Sequence, residues 1–185
     1  MRLFTGIAIP QHILKNLEAV IGVLEPLAAL KWSRPENLHI TTVFIGEWPE
    51  ARLPELEKAL AAVPRPGPIP ISLQGFGFLP NPHRPRMFFA AVKTGLELPR
   101  LASAIDAALE TLSFEREDRP YHPHLTLGRV LKDNTRELRE RIAEMKNPEL
   151  GSFEATEFHL YLSRPAAGKS VYTKLASYAL TGKPE

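Results

Sequence analysis

The chain contains no cysteine among its 185 residues, and this absence excludes several kinds of chemistry at once. Disulfides, thiolate nucleophiles and cysteine-ligated zinc all need a sulfur atom that the chain does not supply. No stretch approaches the run of about 18 apolar residues that a membrane-spanning helix needs, so we expect no membrane association. The opening residues, MRLFTGIAIP, have neither the length nor the cleavage site of a secretory signal. We therefore expect a cytoplasmic protein that begins with a strand.

The net charge is only +2, which does not indicate a generally basic nucleic-acid-binding protein. Lysine and arginine nevertheless gather in LKWSR (30–34), PHRPRM (82–87) and SRPAAGK (163–169). These clusters predict either a local surface for an anionic ligand or merely solvated loop charges. The 18 prolines are about twice the usual share and predict rigid turns and short elements.

A His-x-Thr motif occurs twice, as His39-Ile-Thr41 and as His124-Leu-Thr126. In a strand the side chains at positions i and i+2 leave the same face, so each histidine projects together with its threonine. Buried residues on the opposite face would leave the histidine face free to line a cleft. Two such strands facing each other would place two imidazoles and two hydroxyls around one small ligand.

These residue types suit in-line displacement at phosphorus. Histidine titrates near neutrality, so one imidazole can accept a proton while the other donates one. The hydroxyls of Thr41 and Thr126 can bind phosphoryl oxygens, and the guanidinium of Arg129 matches phosphate geometry. By strict alternation Arg129 shares a face with the apolar Leu125 and Leu127, so it reaches the cleft only if Gly128 permits a bulge or a bend.

The remaining periodicity predicts an α+β protein. Apolar residues recur at helical spacing within 13–24, 53–63, 101–112 and 138–145, whereas 2–9, 71–80, 86–93, 153–164, 170–180 and the segments around His39 and His124 favour strands. Each His-x-Thr strand precedes an amphipathic helix and further strands, which indicates a duplicated α+β unit within a single domain, 1–185. No linker separates two parts, so two lobes would pack together.

Other interpretations of the histidines stay open at this level. A histidine on a strand is often a hydrogen-bonded structural residue. His39, His122 and His124 would also supply the nitrogen ligands of a zinc hydrolase, although no carboxylate lies close in sequence to either threonine.

The chain as a whole resembles the RNA 2′,3′-cyclic phosphodiesterases, also called 2′-5′ RNA ligases, of the two-histidine phosphoesterase superfamily. The resemblance rests on the segments MRLFTGIAIP, KWSRPENLHITTVFIG, RPRMFFAAV, YHPHLTLGR and FHLYLSRPAAGKSVYTKLASYAL. It implies two pseudo-symmetric lobes around a central cleft, each an antiparallel sheet with helices on its outer face. Thr42 stands where the family usually has a bulky apolar residue, but it should point away from the cleft.

The resemblance also implies an activity and site residues. His39 and His124 would be the catalytic pair, and Thr41, Thr126 and Arg129 would bind the phosphate. The expected reaction opens an RNA 2′,3′-cyclic phosphate, or a cyclic nucleotide, to a 2′-phosphate without metal or other cofactor, and its reversal is 2′-5′ ligation. We assign the base to His124 and the acid to His39, with exchanged roles left open, and we expect a monomer.

A noncatalytic module that binds RNA ends or nucleotides is an alternative function. Trp32, Tyr121 and Phe153 would then offer stacking surfaces for bases, unless they belong to the core or its rim. Binding of a cyclic phosphate without its conversion would identify such a module.

Overall fold

The computed structural model of the chain describes residues 1–114, 120–132, 134–166 and 169–182, with only the backbone described at 169. These residues form nine strands and four α-helices. The strands are β1 (Arg2–Ala8), β2 (Leu30–Trp32), β3 (His39–Glu47), β4 (Ile69–Leu79), β5 (Met87–Thr94), β6 (His124–Val130), β7 (Glu149–Ala155), β8 (Glu157–Ala166) and β9 (Lys169–Ala179), and the helices are α1 (Gln11–Leu24), α2 (Leu53–Ala61), α3 (Glu97–Glu110) and α4 (Arg136–Glu144).

All described strand pairs are antiparallel and form one curled sheet in the order β7-β4-β5-β6-β3-β1-β8-β9, with β2 paired to β6. The sheet divides into two lobes between β6 and β3, where the described residues make a single backbone bridge, Ile40 to Leu125. Both residues of this bridge are completely buried. Each lobe therefore contributes one His-x-Thr strand to the boundary between the lobes.

Helices α1 and α3 each pack against the sheet of the lobe that does not contain the preceding strand. Helix α1 follows β1 in the chain but contacts β7, and α3 follows β5 but contacts β3. Both helices bury apolar residues at helical spacing, namely Ile13, Leu17 and Leu24 in α1 and Leu98, Leu101, Ile105 and Leu109 in α3. This exchange of helices ties the lobes together on the side of the core.

The expected α+β fold with two antiparallel lobes is confirmed, but one strand prediction is wrong and one strand was missed. The segment predicted as one strand over 153–164 is divided at Thr156 into β7 and β8, which pair with β4 and β1 in different lobes. The short strand β2 was not predicted, because three residues are too few to establish an alternation.

No helix in the described part of the chain is long and apolar enough to cross a membrane. Residues 167 and 168 of the third cationic cluster lie outside the described residues.

Candidate functional site

The two His-x-Thr motifs lie side by side across the boundary between the lobes. Because β3 and β6 are antiparallel and Ile40 pairs with Leu125, a continuation of this register would set His39 opposite Thr126 and Thr41 opposite His124. Ile40 and Leu125 point into the core, so the four motif side chains leave from the other face. The histidines are then diagonal neighbours, about 7 to 8 Å apart in a regular ladder. One small ligand can contact both.

Both imidazoles are held in the same way. Nδ1 of His39 lies 2.7 Å from the carbonyl oxygen of Asn37, and Nδ1 of His124 lies 2.8 Å from that of His122. A carbonyl oxygen only accepts hydrogen bonds, so Nδ1 of each ring carries a hydrogen and donates it. The remaining nitrogen, Nε2, is therefore the atom of each ring that can exchange a proton with a ligand.

The environments of the two rings differ. Nε2 of His39 lies 3.0 Å from the hydroxyl of Thr41, and the ring is half-buried. Burial lowers the pKa of His39 below its ordinary value, the hydrogen bond to the Asn37 carbonyl partly offsets this, and the nearby charge of His124 lowers it further. In the free protein His39 therefore favours its neutral form more than an exposed histidine does.

Aromatic residues surround His39, and sequence reasoning did not identify them. Its ring centroid lies 4.6 Å from that of Phe4 and 5.2 Å from that of Tyr172, and Phe4 stacks on Tyr161 at 4.9 Å. These rings come from β1, β8 and β9, which neighbour β3 only after the sheet has formed. They account for the low polarity around His39.

Gly6 allows β3 to approach β1 closely beneath the His39 ring. A Cβ atom at this position would lie 2.8 Å from the carbonyl oxygen of Ile40 and 3.4 Å from Cδ2 of His39. The first distance is too short for a real contact, so any side chain here would displace the strand that carries the histidine.

Arg129 reaches the histidine face because β6 contains a bulge. Phe88 of β5 pairs with Gly128, but the next residue, Phe89, pairs with Thr126, which leaves Leu127 as an extra residue. Leu127 and Gly128 are both buried, and the alternation resumes with Arg129 exposed on the face of Thr126. The sequence-based conflict over Arg129 is thereby resolved. Within the described residues, its guanidinium has no hydrogen-bond or ion-pair partner.

The same bulge occurs at the equivalent place in the other lobe. Thr5 of β1 pairs with Val43 and Gly6 pairs with Thr41, so Thr42 is the extra residue of β3. Thr42 is 4% exposed and its hydroxyl lies 2.7 Å from that of Thr5, so it faces away from the cleft as expected. The residue five positions after His39 is Phe44, which takes the place that Arg129 has after His124. Phe44 is 43% exposed, and Arg2 lies over its ring at 5.2 Å.

Thr126 differs from Thr41 in its partner. Its hydroxyl donates to the sulfur of Met87 at 3.2 Å, whereas the hydroxyl of Thr41 contacts the imidazole of its own motif. Because a thioether sulfur is a weak acceptor, a phosphate oxygen can replace it at little cost. Thr126 is therefore suited to bind an anionic ligand.

Two of the cationic clusters approach the strand of Arg129. Lys31 of β2 pairs with Arg129 in the ladder, and Met87, which follows Arg86, pairs with it from the other side. The side chains of Lys31, Arg84 and Arg86 are exposed. Of these residues, Lys31 pairs directly with Arg129 and so adds positive charge on its face of the sheet, which suits an anionic ligand.

The other sequence candidates are placed less favourably. Among the described residues, no group of three or more His, Cys, Asp or Glu side chains is arranged to hold a metal ion, so His39, His122 and His124 do not form a three-histidine site. Trp32, Tyr121 and Phe153, considered as stacking surfaces, are partly buried and pack against the core.

His159, one of the chain's six histidines, has no motif around it and was not chosen as a site residue from the sequence. It is 2% exposed, and its Nδ1 lies 2.8 Å from the hydroxyl of Ser177 on the neighbouring strand. Burial lowers the pKa of His159, the charge of Lys174 lowers it further, and Glu157 acts in the opposite direction. Its ring packs against that of Tyr161 at 5.7 Å, beside the aromatic residues that surround His39.

Known proteins share much of the sequence and fold of this chain. A sequence model of the 2′-5′ RNA ligase superfamily matches residues 15–165. An RNA 2′,3′-cyclic phosphodiesterase of Archaeoglobus fulgidus is 35% identical over 160 residues, which cover 86% of this chain and 89% of that protein. A crystal structure of a Thermus thermophilus protein superposes with a TM-score of 0.85 at 28% identity and covers 100% of both chains. Escherichia coli LigT complexed with 3′-AMP superposes with a TM-score of 0.81 at 27% identity, covering 97% of this chain and 98% of LigT.

Proposed function

Because this chain belongs to the 2′-5′ RNA ligase superfamily, whose members are two-histidine phosphoesterases, we propose that it hydrolyses RNA 2′,3′-cyclic phosphate ends to 2′-phosphates. The proposal is supported by the placement of His39-x-Thr41 and His124-x-Thr126 on the two strands that one buried bridge joins. In each ring Nδ1 donates to a backbone carbonyl, so Nε2 is the nitrogen that can exchange a proton with a ligand. We place this activity in the cytoplasm, where RNA is available, and in a monomer, since all five site residues belong to one chain.

The proposed reaction is an in-line displacement that uses the two imidazoles in opposite senses. A water molecule attacks the phosphorus and transfers a proton to one Nε2, the bond from phosphorus to O3′ breaks, and the other Nε2 donates a proton to O3′. The phosphate remains on O2′. The hydroxyls of Thr41 and Thr126 and the guanidinium of Arg129 stabilise the charge that grows on the non-bridging oxygens.

We propose that His39 is the base and His124 the acid, which exchanges the assignment favoured by the sequence alone. A base must begin the reaction in its neutral form, and burial lowers the pKa of His39 in the free protein. In the free protein the hydroxyl of Thr41 lies 3.0 Å from Nε2 of His39, and when it turns to a phosphate oxygen it leaves the lone pair of Nε2 free to take the proton from water. His124 then supplies the proton that the leaving O3′ needs.

The function is tested with a nucleoside 2′,3′-cyclic phosphate and protein freed of metal with EDTA, and the product isomer is identified by phosphorus NMR. We expect the 2′-phosphate, and replacement of His39 or His124 by alanine should lower kcat by roughly 10² to 10⁴-fold. Turnover that EDTA abolishes and zinc restores would support a metallohydrolase instead. Tight binding without conversion would identify a binding module.

The acid and base roles are separated by a substrate in which sulfur replaces the 3′ bridging oxygen. A thiolate leaves without being protonated, so the variant that lacks the acid should regain most of its activity with this substrate, and the variant that lacks the base should not. We expect recovery for His124→Ala. Recovery confined to His39→Ala would reverse the assignment, and recovery of neither variant would contradict the acid–base mechanism.

A further inference from the structure

Little backbone pairing joins β3 to β6 across the boundary between the lobes. The proposed site depends on the relative placement of these two strands. In the described part of the chain, β3 and β6 share the one bridge between Ile40 and Leu125, whereas the pairs within each lobe extend over several residues. The proposed mechanism requires both imidazoles to address one phosphorus atom. Helices α1 and α3 tie the lobes together on the side of the core, and a contact next to the motifs would in addition fix the two motif strands in register.

Tyr121 makes such a contact. Its phenolic hydroxyl donates a hydrogen bond of 2.9 Å to the backbone carbonyl of Thr41, across 80 positions of sequence and across the boundary between the lobes. Burial raises the pKa of Tyr121 above its ordinary value, so the phenol stays protonated and remains a donor throughout the neutral range. The ring is partly buried and packs against the core.

The position of Tyr121 in the chain connects both motifs. It lies between Pro120 and His122, and the carbonyl of His122 is the group that accepts from Nδ1 of His124. The hydroxyl of Tyr121 reaches the peptide of Thr41, whose own side chain contacts Nε2 of His39. One phenol therefore links the segment that orients His124 to the strand that carries the other histidine.

We propose that Tyr121 is a positioning residue that holds the two His-x-Thr motifs at the separation catalysis needs, an inference that rests on the proposed function. Its hydroxyl is occupied by a backbone carbonyl, so it acts through Thr41 and His124 and not on the substrate. A misplacement of about 1 Å between reacting groups costs on the order of 10²-fold in rate. Loss of this hydrogen bond should thus affect kcat more than KM.

Tyr121→Phe removes the donor and keeps the ring. We expect kcat for the cyclic phosphate to fall roughly 10- to 100-fold, with KM unchanged to within about threefold. Tyr178→Phe is the matched control, since the Tyr178 hydroxyl also donates to a backbone carbonyl, that of Glu57, at 3.5 Å, away from both motifs. Burial and Glu57 raise the pKa of Tyr178 to about 12, so it too is a permanent donor near neutrality. Its loss should leave kcat unchanged.

A kcat of Tyr121→Phe equal to that of the wild type would overturn the inference. The inference would also be overturned if kcat fell in both variants in proportion to a fall in their melting temperatures. The loss of activity would then reflect a general loss of stability. A loss of kcat in Tyr121→Phe alone, at an unchanged melting temperature, supports it.

A second measurement does not depend on turnover and keeps this inference separate from the proposed function. NMR titration gives the pKa of His39 with and without the substitution His124→Ala, and this difference measures how closely the two rings approach. We expect a smaller difference in the Tyr121→Phe background than in the wild type, since the strands are then less firmly joined. An equal difference in both backgrounds would overturn the inference even if the wild type hydrolyses no cyclic phosphate.

Discussion

Removal of the Arg129 side chain should impair activity without weakening the fold. The guanidinium is exposed on the histidine face and has no partner within the described residues, so Arg129→Ala should change the free energy of unfolding by no more than about 0.5 kcal/mol. A hydrogen bond from a charged donor contributes about 1.5 to 3 kcal/mol, which corresponds to roughly 10- to 150-fold in kcat/KM. Arg129→Lys should fall between, because lysine keeps the charge and loses the planar fork.

The assay compares kcat/KM for a nucleoside 2′,3′-cyclic phosphate in three proteins: the wild type, Arg129→Ala and Arg136→Ala. Arg136 is an exposed residue of α4 that pairs with Glu140 at 3.3 Å, so its replacement removes the same charge at a distance from the motifs. Urea unfolding of each protein gives the accompanying change in stability.

The bulge at Leu127 is what this comparison tests. Without it Arg129 would share the face of Leu125 and Leu127, which are completely buried, and its replacement would alter stability more than activity. Equal kcat/KM values for the two alanine variants would refute the placement of Arg129 at the phosphate. A large loss of stability in Arg129→Ala would refute its placement on the cleft face.

Two further predictions concern stability. Thr5→Val should lower the free energy of unfolding by about 2 to 4 kcal/mol, because it removes the side-chain partner of the buried Thr42 hydroxyl and of the Val43 backbone N–H. Thr42→Val should lower it by less than about 1 kcal/mol. Equal losses of stability in urea unfolding would contradict this expectation. The pKa values of His39 and His159 are lowered in the folded protein, so below pH 6.5 the unfolded chain binds more protons than the folded chain. The free energy of unfolding should therefore be constant above that pH and decline below it. Urea unfolding at several pH values should show a shallower decline for His159→Asn, and parallel curves would contradict this.

The part of the site that could be predicted from the sequence depends on local geometry. The alternation of side chains within one strand is a property of a few consecutive residues, so it placed His39 with Thr41 and His124 with Thr126 before any partner strand was known. The buried positions of Ile40 and Leu125 between them follow from the same rule. The resemblance to a known family then brought the two strands together.

Features that depend on pairing between strands could not be predicted. The segment 153–164 contains no glycine or proline, so nothing in it marks Thr156 as the point where the chain passes from one lobe to the other. The bulge in β6 is likewise defined by its register with β5, which the sequence of β6 does not contain. Phe4 and Tyr161 looked like ordinary strand residues because only the assembled sheet places them beside His39.

The two lobes present nearly equivalent backbones and different side chains to the cleft between them. In both motifs the histidine donates its Nδ1 hydrogen to the carbonyl two residues before it, and in both an extra residue follows the threonine. This symmetry suits an in-line transition state, whose attacking and leaving oxygens lie on opposite sides of phosphorus. Phe44 stands where the other lobe has Arg129, and Thr41 contacts an imidazole where Thr126 contacts Met87. Since the backbone treats the two sides alike, we infer that these side-chain differences, together with the burial that lowers the pKa of His39, decide on which side the water attacks and on which side the oxygen leaves.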